Sequence, residues 1–213
     1  MLVRHQKNLY VFGGQGERRT IFNDLHRFSL EKGVWKQIKT EGAIVKGRFG
    51  HTASVYKDSM FIFGGWDGWA CLDDFLEYSF TTNIFYEIRR ASGKRPSPRY
   101  RHDSIVINKK LYVYGGVDHH QKRFNDLSEF CFEQKTWTSV SFPGCIPSKR
   151  SFHRISSYEN MIFLVGGFDG KRLNDMYALN ISDEENKFPE FIGNTTFSQI
   201  SLSEDLVQFQ SIN

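Results

Sequence analysis

The chain has 213 residues, of which 39% are hydrophobic and 24% charged, and a net charge of +4. This is the make-up of a globular protein with a sizeable core, and it excludes a disordered chain or a bundle of membrane helices. Aromatic residues reach 15%, with 20 Phe and 9 Tyr, beside 18 Gly, a pairing that favours strands and tight turns over helices.

Charge is unevenly spread. Residues 181–213 carry a balance of −5, so residues 1–180 carry +9, and a basic body favours anionic partners through its long-range field. Cys71, Cys131 and Cys145 lack the paired spacing of a zinc site or a disulfide framework and read as reduced thiols. Met1-Leu2-Val3-Arg4-His5 lacks the apolar segment of a secretory signal. The expected location is cytoplasmic, with the nucleus open, and the sequons at Asn180 and Asn194 are read as incidental.

The first recognisable element is the apolar run Leu9-Tyr10-Val11-Phe12, ending at Gly13-Gly14. A loop, Gln15-Gly16-Glu17-Arg18-Arg19, leads to Asn23-Asp24, then to Phe28, Trp35 and Gly42. From Arg48 the same order returns. His51–Tyr56, Met60–Phe63, Phe75–Phe80 and Ile84–Ile88 read as four short strands, the second ending at Gly64-Gly65. The third passage holds Arg99, His102, Leu111–Tyr114, Gly115-Gly116, Asn125-Asp126, Trp137 and Gly144; the fourth holds Arg150, His153, Gly166-Gly167 and Asn174-Asp175. The glycine pairs are 51 residues apart, as are Arg48/Arg99/Arg150, His51/His102/His153 and Gly42/Gly93/Gly144. Such a period marks a repeat architecture.

A four-stranded antiparallel unit cannot bury both faces alone, and radial stacking of such units makes a β-propeller. The expected fold is therefore all-β, with four blades of four antiparallel strands over about 1–42, 43–93, 94–144 and 145–192. Residues 193–213 are expected to be a polar, acidic tail, disordered or closing the ring. Met1 aligns with Thr52, so the first blade lacks part of its inner strand and the ring is expected to be small, or open and completed by a second chain or a missing segment.

The order Arg-x-x-His, strand, Gly-Gly, variable loop, Asn-Asp-apolar and large aromatic resembles the kelch repeat. It reads Arg99-Tyr100-Arg101-His102, Leu111 to Gly116, Asn125-Asp126-Leu127, Trp137, Gly144, Pro147 and Arg150. The resemblance runs from about residue 8 to 192 and implies a protein-interaction scaffold or adaptor.

Residues recurring in every unit serve what every unit needs. Arg48, Arg99 and Arg150 are expected to pair with acids and loop carbonyls between blades. Asp24, Asp74, Asp126 and Asp175 are expected to form turns by accepting backbone N–H bonds. Phe28/Tyr78/Phe130/Leu179 and Trp35/Tyr86/Trp137/Phe188 are expected to pack blade on blade.

Function is expected where the units differ. The loops after the glycine pairs supply Arg18, Arg19, Trp66, Trp69, His119, His120, Lys122, Arg123, Phe168, Lys171 and Arg172 on one face. By resemblance to kelch propellers that bind acidic peptides, the loop entering the inner strand adds Phe49-Gly50, Tyr100-Arg101 and Ser151-Phe152, with Arg101 foremost. Cations and exposed aromatics suit an acidic or phosphorylated protein segment. The alternative is a metal-dependent enzyme resembling copper-radical oxidases or iron-dependent specifier proteins. Its only ligand candidates outside the repeats, His119 and His120, are chain neighbours, so no catalytic residue, metal or cofactor is assigned. A nucleic-acid partner is a minor reading of the basic body.

Overall fold

The computed structural model describes residues 1–141, 146–181 and 190–196, the last segment as backbone only. Its strands form four sheets in a four-bladed β-propeller arrangement. Sheet 1 comprises β1 (Leu2–His5), β2 (Asn8–Gln15), β3 (Ile21–Ser29) and β4 (Val34–Ile38), and is followed by the connector strand β5 (Glu41–Gly42). Sheet 2 comprises β6 (Thr52–Tyr56), β7 (Ser59–Trp66), β8 (Cys71–Ser79) and β9 (Ile84–Glu87), followed by β10 (Ser92–Gly93). Sheet 3 holds β11 (Asp103–Ile107), β12 (Lys110–Tyr114), β13 (Leu127–Cys131) and β14 (Thr136–Val140). Sheet 4 holds β15 (Arg154–Tyr158), β16 (Met161–Phe168), β17 (Arg172–Asn180) and β18 (Glu190–Thr196).

Each sheet is an antiparallel meander, since two-residue loops join its first two strands. Gln6, Lys57, Asn108 and Glu159 open these loops with positive φ. Two features depart from the sequence reading. The second strand continues through the glycine pair in sheets 1, 2 and 4, with a register shift at Phe12/Gly14, Phe63/Gly65 and Val165/Gly167. The connectors that precede sheets 2 and 3 also add a parallel strand to the sheet that follows, β5 on β9 and β10 on β14, so sheets 2 and 3 have five strands. β18 reaches past residue 192; Phe188 and residues 197–213 lie outside the described residues.

The core is a series of apolar layers between sheets. Val3, Tyr10, Phe12 and Leu25 of sheet 1 meet Met60, Ile62, Leu76, Tyr78 and Phe85 of sheet 2. Phe61, Phe63 and Phe75 meet Leu111, Val113, Phe130 and Trp137 of sheet 3. Tyr112, Tyr114 and Leu127 meet Ile162, Leu164, Tyr177 and Leu179 of sheet 4. No such cluster joins sheet 4 to sheet 1 among the described residues. The aromatic series needs one correction. Strand register pairs Phe28 with Trp35, Tyr78 with Phe85 and Phe130 with Trp137. The second member is thus buried Phe85, while Tyr86 points outward, because a one-residue step in a strand changes the face.

Candidate functional site

The repeated Arg-x-x-His motif builds the frame of the site. Arg99 Nη1 and Nη2 donate to the two carboxylate oxygens of Asp126 at 2.7 and 2.8 Å, and Nη1 also donates to the Gly115 carbonyl at 2.9 Å. Arg150 repeats this with Asp175 and Gly166, and Arg48 with Asp74 and Gly64. The expected turn role of these aspartates is therefore corrected. Their carboxylates accept bidentate guanidinium bonds, the geometry that suits that pair best. Asp24 in sheet 1 pairs instead with His26 at 2.8 Å.

The arginine side chains bind within their own sheet, contrary to expectation; their backbone carbonyls make the bonds between sheets. Gly14, Gly65 and Gly116 donate N–H to the carbonyls of Arg48, Arg99 and Arg150 in the next sheet at 2.8–2.9 Å. A Cβ on Gly64 would lie 2.7 Å from the Arg99 carbonyl oxygen, and φ there is +62°. The first glycine of the pair is required by this close approach.

His51, His102 and His153 are buried edge-on against Phe12, Phe63 and Tyr114. His102 Nε2 lies 3.1 Å from Thr52 Oγ1, and His153 Nε2 lies 3.1 Å from the Tyr114 carbonyl. Burial first, and the neighbouring arginines second or third, hold these imidazoles below their ordinary range, His153 at about 3. They stay neutral at pH 7.

Two residues before each histidine, at Phe49, Tyr100 and Ser151, the chain bridges to the residue after the second glycine: Trp66, Val117 and Phe168. The next residues, Gly50, Arg101 and Phe152, all have φ near +60° and are linked across sheets. Arg101 N–H donates to Gly50 O at 2.7 Å, and Phe152 N–H to Arg101 O at 3.0 Å. The left-handed backbone turns the Arg101 side chain onto two rings, its guanidinium carbon 4.7 Å from the Tyr100 centroid and 4.2 Å from that of Phe152. Among the described residues Arg101 has no ion pair. It lines a cavity of about 430 Å³ with Gln15, Phe49, His51, Phe152 and Arg154, contributed by all four sheets.

The other predicted residues fall into two groups. Trp66 is not the exposed aromatic the sequence implied; it is half-buried, 5.5 Å from the Tyr100 ring. Phe168 is half-buried beneath the guanidinium of Arg123 at 4.7 Å. Arg18, Arg19, Trp69, His119, His120, Lys122, Lys171 and Arg172 are all exposed on the outer loops and do not line the cavity. Trp69 is the extreme, at 91%.

Three of these loops are closed by an aspartate whose role the sequence reading missed. Asp67 Oδ1 accepts N–H bonds from Trp69 and Ala70, Asp118 Oδ1 from His120 and Lys122, and Asp169 Oδ1 from Lys171. The signal was available, since Asp follows each glycine pair by two residues in three of the four units. Arg154 was missed as well. It follows a buried histidine, where the other units have Thr52 and Asp103, and its Nη1 lies 3.8 Å from the Asp103 carboxylate. Burial raises the Asp103 pKa against the bonds that the carboxylate accepts from Ile155 and Ser104 N–H. Among the described residues, no group of three His, Cys, Asp or Glu could hold a metal ion, and no helix is long and apolar enough to cross a membrane.

Comparison with known proteins gives the same repeat. A family model described as the KLHDC2/KLHL20/DRC7 Kelch-repeats domain matches residues 1–167 and 81–199. The chain is 36% identical over 141 residues to the leucine-zipper-like transcriptional regulator 1 homolog of Drosophila melanogaster, covering 63% of this chain and 14% of that protein. It is 28% identical over 192 residues to acyl-CoA-binding domain-containing protein 5 of Arabidopsis thaliana, covering 88% and 30%. To Kelch domain-containing protein 10 of Rattus norvegicus it is 25% identical over 190 residues, covering 84% and 46%. The chain thus spans less than half the length of each of these relatives.

Proposed function

The chain belongs to the kelch-repeat family, and from that premise we propose that it is a protein-interaction module, not an enzyme, whose loop face takes an acidic or phosphorylated segment of a protein partner. The observation that carries this reading is Arg101. Its guanidinium is stacked on Tyr100 and Phe152 at the cavity and has no carboxylate partner among the described residues. Stacking fixes the plane and leaves the N–H edge for an incoming anion, so little side-chain freedom is lost on binding. Arg154 adds a second cation across the same cavity. The exposed loop cations Arg18, Arg19, Lys122, Lys171 and Arg172 would steer an anionic segment toward it, and exposed Trp69 offers an aromatic anchor at the rim.

The test is titration of fluorescent Glu-rich and phosphoserine peptides against the wild-type chain, Arg101→Ala and Arg154→Ala. Saturable, salt-sensitive binding that falls at least tenfold in Arg101→Ala supports the reading. Absence of binding by every peptide, or binding indifferent to Arg101, overturns it.

A further inference from the structure

A second cavity, of about 330 Å³, opens between sheets 2 and 3 at the end of the sheets opposite the loop face. Its walls are aromatic. Phe61 of β7 faces Phe130 and Phe132 of sheet 3, and the Tyr56 ring is stacked on Phe132 with centroids 4.1 Å apart and planes 4° from parallel. Glu77 of β8 is the one carboxylate among the lining residues, and it is half-buried.

The meaning of Glu77 comes from its counterpart in the next sheet. Register sets Glu77 opposite Phe61, with Ser59 two residues before Phe61 on the same face. In sheet 3 Glu129 is opposite Tyr112, with Lys110 two residues before. There Lys110 Nζ lies 3.4 Å from Glu129 Oε2, so sheet 3 carries its own cation at this place. In sheet 2 the same place holds Ser59, whose hydroxyl donates to Glu77 Oε1 at 2.7 Å. Among the described residues Glu77 has no ion pair and its Oε2 no hydrogen bond. A carboxylate left open at an aromatic wall favours a cation that brings its own donors, and ring faces attract the same charge.

We propose that this cavity binds a small organic amine, a primary ammonium carried on an aromatic ring, with the ammonium on Glu77 where Lys110 stands in sheet 3 and the ring among Phe61, Phe130 and Phe132. The volume is at the lower end for a ligand pocket and suits one ring with a short chain. Lys57 and Lys135 also line the cavity, Lys57 Nζ lying 5.3 Å from the Tyr56 centroid. Both lysines are exposed, so solvent and salt screen them more than the half-buried carboxylate, which therefore decides the charge of the ligand.

The probe is phenethylamine, titrated into the full chain by calorimetry, with phenylacetate as an anion of similar size. The amine is expected to bind with a dissociation constant on the order of 1 mM, and phenylacetate about tenfold more weakly. Glu77→Gln is expected to weaken amine binding about tenfold. Ser59→Lys transplants the ion pair of sheet 3 and is expected to abolish it. Lys57→Asn places in sheet 2 the residue that sheet 3 has as Asn108, with the same positive φ, and is expected to tighten amine binding about twofold. Circular dichroism checks that each variant folds. Arg101→Ala, at the other end of the sheets, should bind the amine as the wild type does. Phenylacetate binding as tightly as the amine, amine binding indifferent to Glu77, weaker binding in Lys57→Asn, or no saturable binding of the amine overturns the proposal.

Discussion

Arg99 and Arg101 stand two residues apart, one sealed within its sheet and the other lying over the central cavity. Arg99 occupies a position filled by arginine in three units, and each of its bonds holds the glycine turn and the third strand in place. Arg101 occupies a position filled by Gly50, Arg101 and Phe152 in successive units. There only the left-handed backbone and its bond to the next unit are shared. Positions that every sheet needs are fixed by the packing, while those bound to their neighbours through backbone alone are free to differ and can serve recognition. The contrast between stability and binding at these two kinds of position can be tested directly.

The largest effect is expected at the buried arginines. Arg150→Ala leaves Asp175 and the Gly166 carbonyl without their donor, and loss of one partner from a buried pair costs about 3–5 kcal/mol. Urea unfolding should show this as a large fall in midpoint. Arg101→Ala should cost no more than about 1 kcal/mol, the worth of its ring stacking, while losing peptide affinity; similar losses of stability in both would erase the distinction.

The same contrast holds between Trp137 and Trp35, which occupy one register position in two sheets. Trp137→Ala opens a cavity among Phe63, Phe75 and Phe130, with an expected cost of about 3–5 kcal/mol. Trp35→Ala should cost less, about 0.5–1.5 kcal/mol, because its half-exposed ring packs on Phe28 at 5.1 Å.

Acid should reveal the buried histidines. Their folded pKa values lie below 6.5, so the unfolded chain binds the protons, and stability is complete above about pH 6.5 and falls as the pH drops through that value. Each histidine adds a slope of up to about 1.4 kcal/mol per pH unit; for His153 the loss continues toward its folded value of about 3. His153→Gln should reduce the slope between pH 6 and 4 by about one proton's worth, as read from unfolding midpoints across that range. An unchanged slope would mean that His153 is protonated in the folded protein.

A small and local effect is expected at Arg123, whose guanidinium lies on Phe168. Arg123→Ala should remove about 0.5–1 kcal/mol of loop stability, detected as faster amide hydrogen exchange over residues 117–123 with little change in the global midpoint.

Much of the architecture is written in the sequence because its signals are local and repeated. The glycine pairs mark a close approach that admits no Cβ, the repeated Arg marks a buried guanidinium in each of sheets 2, 3 and 4, and the constant interval makes each mark legible in the others' light, although the Asp that partners each Arg was read as a turn former. The sequence alone therefore determined an all-β propeller with four units, and it located the loops in which the units differ. Tertiary structure decided what depends on register and on neighbours. Counting residues selects Tyr86 as the partner of Trp35 and Trp137, but the loop between β7 and β8, shorter by one residue than that between β2 and β3, makes it Phe85 and sends Tyr86 outward. Spacing alone gives Trp66 and Trp69 equal standing, but only Trp69 is exposed, because Trp66 continues a strand and lies against Tyr100. Arg154 becomes visible as a site residue only when four inner strands converge on one cavity. A sequence interval specifies which residues correspond, whereas exposure and polar partners are set by the facing sheet, which is remote along the chain.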